Sequence, residues 1–179
     1  MENTELDLCN LDQHIQESFD GIKLLELNSY FKQALSCAFI LIDQMSWLVS
    51  GEEIYGNVYF KKWVNMYLTK HYPKISAEEL WAYRNGLIHN NSTISRDITK
   101  GKVSKQLYFY NGLSTLEALD AYYDDNDDYH IVNTAKFLQI TLVCAVKEFR
   151  QDLANLSIQE QSGVKEKLRK ILQPLYLDK

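Results

Sequence analysis

Long apolar runs, cysteine pairs, helix breakers and excess positive charge are all scarce in this chain, and each shortage closes a route. No stretch approaches the roughly 18 apolar residues of a membrane span. The most apolar run, Ala34 to Leu48, is interrupted by Ser36, Asp43, Gln44 and Ser46, which suits a buried helix. The opening Met1-Glu2-Asn3-Thr4-Glu5 is acidic, where a secretory signal carries positive charge before an apolar region. A cytoplasmic protein without membrane contact is expected. Cys9, Cys37 and Cys144 are odd in number and far apart, so they form neither a disulfide framework nor a CxxC-type metal site. Cys37 and Cys144 fall in apolar helical patterns and read as core, as buried thiols usually do. The net charge is −5, whereas proteins that attract nucleic acid broadly are usually basic. Any contact with RNA therefore has to be local.

What is present suits a helical protein. Seven glycines and two prolines in 179 residues leave room for long helices, and the apolar fraction of 46% is ordinary for a globular chain. The length suits a single domain, residues 1–179. Leu8, Leu11, Ile15, Phe19, Ile22 and Leu25 recur at spacings of three and four, predicting a helix over Leu6 to Leu27. Asn28-Ser29 breaks it, and Ser29 is placed to cap a second helix from Tyr30 to about Ser50. That helix is apolar on nearly every side, so it belongs at the centre of a bundle.

A third helix is expected from Val58 to Tyr72, with Phe60, Val64, Met66, Tyr67 and Leu68 as core candidates and Pro73 as its stop. Ser76-Ala77-Glu78-Glu79 has the spacing of a capping box and opens a fourth helix, Ala77 to about His89, left through Asn90-Asn91-Ser92-Thr93. Val103 to Tyr110 has strand character and meets a turn signal at Asn111-Gly112, with Tyr129 to Val132 as its pairing partner. Helices over Thr134 to Leu156 and Val164 to Leu172 complete the chain. The expected class is all-α, a helical bundle with a small β element.

Chemistry concentrates in Leu80-Trp81-Ala82-Tyr83-Arg84-Asn85-Gly86-Leu87-Ile88-His89. Trp81, Asn85 and His89 are spaced by four, so each lies about 40° around the helix from the one before. Arg84, beside Asn85, can reach around the same edge. Imidazole exchanges protons near neutrality, and a guanidinium presents a planar fork of donors to phosphate oxygens. Spacing alone leaves two readings open. One is a reactive cluster; the other is a buried arginine paired with a carboxylate, beside a histidine near a helix end. Asp43 is the one acid in the most apolar stretch, and a lone buried carboxylate is costly. It either orients Arg84 through a salt bridge, or pairs elsewhere, or is partly exposed.

Other candidates lie nearby. Arg96, Lys100, Lys102 and Lys105, offset only by Asp97, form the basic segment after the motif, either for RNA phosphates or as a solvated loop. Asp124-Asp125-Asn126-Asp127-Asp128 lacks the glycine and distal glutamate of a calcium loop and reads as a solvated acidic loop. His14, His71 and His130 have no metal-ligand partners at helical spacing and read as incidental, so neither metal nor cofactor is expected. Tyr108, Phe109, Tyr110, Tyr122 and Tyr123 suit base stacking or plain packing on a hairpin.

Arg84-Asn85-x-x-x-His89 resembles the Arg-x(4–6)-His signature of HEPN domains (higher eukaryotes and prokaryotes nucleotide-binding), in the form with a polar Asn after the Arg. Ala38-Phe39-Ile40-Leu41-Ile42-Asp43 is similar to the apolar second helix with an embedded Asp found in some of them, and Leu80-Trp81-Ala82-Tyr83 to their usual lead-in. The resemblance covers about Ser29 to Asp152. It implies a HEPN-like bundle that forms a homodimer with two motifs facing each other. It also implies a metal-independent RNA endonuclease, of the kind met in toxin or defence systems, that leaves a 2′,3′-cyclic phosphate and a 5′-hydroxyl. His89 would be the acid or base, Arg84 would stabilise the phosphorane and Asn85 would position groups. The alternative is a non-catalytic module that binds a protein, such as an antitoxin or regulator, or a nucleotide. Some toxins of the family continue to His-x-Tyr, where the Tyr is modified by a partner; this chain has Asn91 there.

Overall fold

The fold begins as an αα-hairpin whose turn is made by a serine in an unexpected role. In a computed structural model that describes residues 8–51, 55–111 and 129–172, helix α1 spans Cys9–Leu27 and α2 spans Phe31–Leu48. Ser29 does not cap α2. It takes a left-handed φ of 63°, its amide donates to the Glu26 carbonyl at 2.9 Å, and the Tyr30 amide donates to Leu25 at 2.8 Å. These are the paired bonds of a Schellman stop, so Ser29 closes α1 instead of opening α2. The chain reverses within a few residues, and α1 packs along α2.

Helix α3, Gly56–Trp63, continues into a π-helical turn, Val64–Leu68, in which the Thr69 amide reaches back five residues to the Val64 carbonyl at 3.0 Å. The wider turn shifts the phase of the helix by about one residue. Phe60, Val64, Tyr67 and Leu68 stay buried as expected, but Met66 is turned out and is 51% exposed. The helical stretch ends before the expected Tyr72.

Helix α4, Ala77–Asn90, starts at the expected capping box. The Glu79 amide donates to Ser76 Oγ at 3.2 Å, and the Ser76 amide donates to Glu79 Oε2 at 2.8 Å. A short helix, α5, Arg96–Thr99, lies where a loop was one of the two readings, with Ser95 as its cap.

Strands β1, Gln106–Tyr110, and β2, Tyr129–Asn133, pair in parallel, Tyr108 opposite Ile131. The pairing partner was foreseen, but the hairpin was not correct. A tight turn at Asn111-Gly112 can join only antiparallel strands, and parallel ones need a crossover of about a dozen residues or more. Most of that crossover, including Tyr122, Tyr123 and the Asp124–Asp128 run, lies outside the described residues.

The next helix, α6, comprises Thr134–Lys136, a second π-helical turn at Phe137–Thr141, and Leu142–Ala154. The last, α7, Ile158–Ile171, begins six residues before the expected Val164, because Ser157 and Glu160 form a second capping box. Helix α2 is central as expected, touching α1, α3, α4, α6 and α7. One apolar cluster runs from Leu11 on α1 through Phe39 and Ile42 on α2 to Phe149 on α6 and Leu168 on α7. Cys37 packs against this cluster, while Cys9 is exposed. The chain is thus mostly helical with one small sheet, and no helix among the described residues is long and apolar enough to cross a membrane.

Candidate functional site

Helix α4 runs beside α2, which brings Arg84 against Asp43. Arg84 Nε and Nη2 donate to Asp43 Oδ2 at 3.0 and 2.6 Å. From its other side Arg84 lies over the Trp81 ring, 5.2 Å from the centroid, a favourable position for a cation on an indole face. Trp81 in turn packs on Phe60 with ring centroids 5.2 Å apart. The guanidinium is therefore held by a carboxylate and an aromatic face, each on a rigid helix. Of the readings open for Asp43, the salt bridge to Arg84 is the one found, combined with some exposure.

The Nη1 side of Arg84 faces the remaining polar groups. Nη1 donates to Asn85 Oδ1 at 3.0 Å and lies 3.4 Å from His89 Nε2, an arrangement that a neutral ring with an unprotonated Nε2 satisfies. His89 is exposed and Asn85 partly so. Arg84, Asn85, His89 and Asp43 thus form one continuous cluster. Burial pushes the Asp43 carboxyl up from its ordinary value, against the opposing pull of the Arg84 hydrogen bond and the charges of Arg84 and His89. Reduced solvation of this kind also strengthens the attraction between the paired charges.

The open end of α4 depends on a residue that spacing did not single out. A side chain at Gly86 would place its Cβ 2.7 Å from the Ser92 carbonyl oxygen and 3.1 Å from the Ile94 carbonyl carbon. The exit loop therefore folds back across Gly86, with Asn91 left-handed at φ 48° and the Ser92 amide donating to the Gly86 carbonyl at 3.1 Å. This sharp return leaves His89 and Asn90 exposed at the bend. The only advance sign was a glycine inside a helical pattern, which implies close approach of another backbone.

The basic residues are less tightly drawn in. Helix α5, carrying Arg96, packs against α4; Arg96, Lys100 and Lys102 are exposed, and Lys102 is paired with Asp97 at 3.1 Å. Among the described residues no hydrogen bond or ion pair joins them to the Arg84 cluster. The other histidines each have a side-chain partner away from the Arg84 cluster. His14 meets Gln44 Oε1 at 3.0 Å, His71 meets Glu148 Oε1 at 2.8 Å, and His130 lies 3.3 Å from Glu79 Oε1. Among the described residues no group of three or more His, Cys, Asp or Glu is arranged to hold a metal.

No protein-family model, curated protein or solved structure matches the chain, so the cluster has to be read from its own geometry.

Proposed function

We propose that the chain is a HEPN-type, metal-independent RNA endonuclease of the cytoplasm, working as a homodimer in a toxin or defence setting. One observation carries this proposal: an arginine pinned by Asp43 and Trp81, with its free side turned to Asn85 and an exposed His89. A pinned guanidinium is preorganised for charge that develops on a phosphate. An exposed imidazole beside it is placed to move protons.

In the proposed reaction the ribose 2′-oxygen attacks the adjacent phosphorus and gives its proton to a base. The bond from phosphorus to the 5′-oxygen breaks, and that oxygen takes a proton from an acid. The products are a 2′,3′-cyclic phosphate and a 5′-hydroxyl. Arg84 holds the phosphoryl oxygens and Asn85 orients them. One protomer supplies one His89, whereas proton donor and acceptor are needed on opposite sides of the phosphate. A two-fold axis near the end of α4 would supply the second.

The test is incubation of the protein with single-stranded RNA in EDTA, followed by end-group analysis. Cyclic-phosphate ends are expected from the wild type. Arg84→Lys is expected to be severely impaired, because an ammonium lacks the planar fork. Cleavage that disappears with the chelator, or a strict monomer in light scattering at tens of micromolar, would overturn the mechanism. The net charge of −5 favours the second reading, a HEPN module that acts by binding a regulatory protein or a nucleotide, and the absence of cleavage on any RNA would select it.

A further inference from the structure

The strands β1 and β2 divide their aromatic residues between two faces. Leu107 and Val132 point into the fold and are buried, and Phe109 stacks among Tyr83, Phe137 and Phe39, with centroids 4.6, 5.1 and 6.4 Å away. The alternate residues face outward, because side chains alternate along a strand. Tyr108 is 54% exposed and Tyr129 39% exposed. In the parallel register Tyr108 lies opposite Ile131 and Tyr129 opposite Gln106, so the two tyrosines are diagonal neighbours, their backbone positions about 8 Å apart by strand spacing and a two-residue offset. Packing therefore accounts for Phe109 and leaves Tyr108 and Tyr129 without a place in the core.

One hydrogen bond and the order of the chain link this face to two other features. Gln106, at the start of β1, donates to Thr93 Oγ1 at 3.1 Å, and Thr93 is in the loop that leaves α4 just after His89. The segment that feeds β1 carries Arg96, Lys100, Lys102 and Lys105 against the single acid Asp97, a local excess of positive charge in an acidic protein. An outward aromatic pair with a basic segment just ahead of it in the chain offers the groups that hold unpaired nucleotides, rings to stack on bases and cations to meet phosphates.

We propose that the outer face of β1 and β2 is the substrate platform of the Arg84–His89 site: it stacks two bases of single-stranded RNA on Tyr108 and Tyr129, with phosphates drawn by Arg96 and Lys100. The proposal rests on the nuclease reading and narrows it to substrates with unstacked bases.

The experiment measures fluorescence anisotropy of a labelled single-stranded RNA and of the same sequence as a duplex. It uses His89→Ala protein, so that binding is read without cleavage. Single-stranded RNA should bind more tightly than the duplex. Tyr108→Ala and Tyr129→Ala should each weaken it roughly tenfold, within the range of one lost stack. Arg96→Ala with Lys100→Ala should weaken it and flatten its salt dependence. Far-UV circular dichroism of each variant checks the fold, which an exposed side chain should leave unchanged. Affinity unaltered in both tyrosine variants, equal affinity for the duplex, or a change in oligomeric state in place of RNA affinity would overturn the platform. Cleavage in the otherwise wild-type protein separates the two ideas. Tyrosine variants that cleave and bind normally refute the platform alone, whereas tyrosine-dependent binding with no cleavage by wild type refutes the nuclease alone.

Discussion

At its N-terminal end α4 buries a carboxylate, and at its C-terminal end it leaves an imidazole in the open. Glu79 is 4% exposed, yet its oxygens are met by the Ser76 amide at 2.8 Å and by His130 at 3.3 Å. The acid also sits in the first turn, where the helix dipole favours negative charge. At the other end Arg84 is anchored on one side by Asp43, while Asn85 and His89 line the other. Each end sets a histidine beside a charged neighbour, a carboxylate at one and a guanidinium at the other. One is closed on itself and stabilises the fold; the other keeps groups turned outward where a ligand can meet them.

The largest effect should separate the two histidines. His89→Ala is expected to lower RNA cleavage by about 10²–10⁴-fold, the usual share of a positioned acid or base, with little change in melting temperature because the ring is exposed. His130→Ala should behave in the opposite way, losing stability while each folded molecule cleaves at the wild-type rate. Parallel cleavage and melting curves decide it, and equal activity in wild type and His89→Ala would erase the contrast.

Next in size is the removal of an anchor from each end. A fully buried ion pair broken on one side costs about 3–5 kcal/mol. The Arg84 and Asp43 side chains keep 17% and 25% of their exposure, so Asp43→Asn should cost less, about 2 kcal/mol, and should also impair cleavage by releasing Arg84. Ser76→Ala removes one cap bond and should cost about 1 kcal/mol without altering cleavage per folded molecule. Urea unfolding combined with single-turnover cleavage reads both quantities. Loss of stability without loss of cleavage in Asp43→Asn would reduce Asp43 to a structural partner.

The smallest effect tests whether the middle of α4 belongs with its closed end. Burial pushes the Tyr83 phenol up to about 12 from an ordinary value of 10.0, and burial, followed by the Asp152 hydrogen bond and charge, takes Tyr67 up to about 12 as well. Above pH 10 the unfolded chain ionises these phenols while the fold keeps them protonated, so stability should fall as pH rises from 10 towards 12. Replacing Tyr83 by Phe should remove about 1 kcal/mol of the decline between pH 10 and pH 11. An unchanged slope in that variant would show that the ring is wetter than its burial implies.

Local signals in the sequence were reliable where one short stretch contains all the partners. The Ser76–Glu79 box, the apolar centre of α2 and the motif from Arg84 to His89 were legible because their spacing carries their geometry. The same rule exposes what was overlooked: Ser157 and Glu160 have identical spacing and open α7 early. Ser29 was misjudged because cap and stop residues look alike until the direction of the following helix is known. Met66 is exposed because the buried stripe Phe60, Val64, Tyr67 and Leu68 follows the i, i+4, i+7, i+8 face of a helix, and Met66, six residues after Phe60, lies off that face.

By itself, then, the sequence determined a helical chain with one polar motif at the end of a capped helix, since helix periodicity and capping act over only three or four residues. Tertiary structure alone decided that Asp43, 41 positions away, pins Arg84. It also decided that the exit loop needs Gly86 bare, that β2 joins β1 in parallel, and that Tyr108 faces out while Phe109 faces in. Each of these depends on which distant segment lies alongside. That choice is made by burial of the whole core, which is a sum over the chain and is written in no single stretch of it.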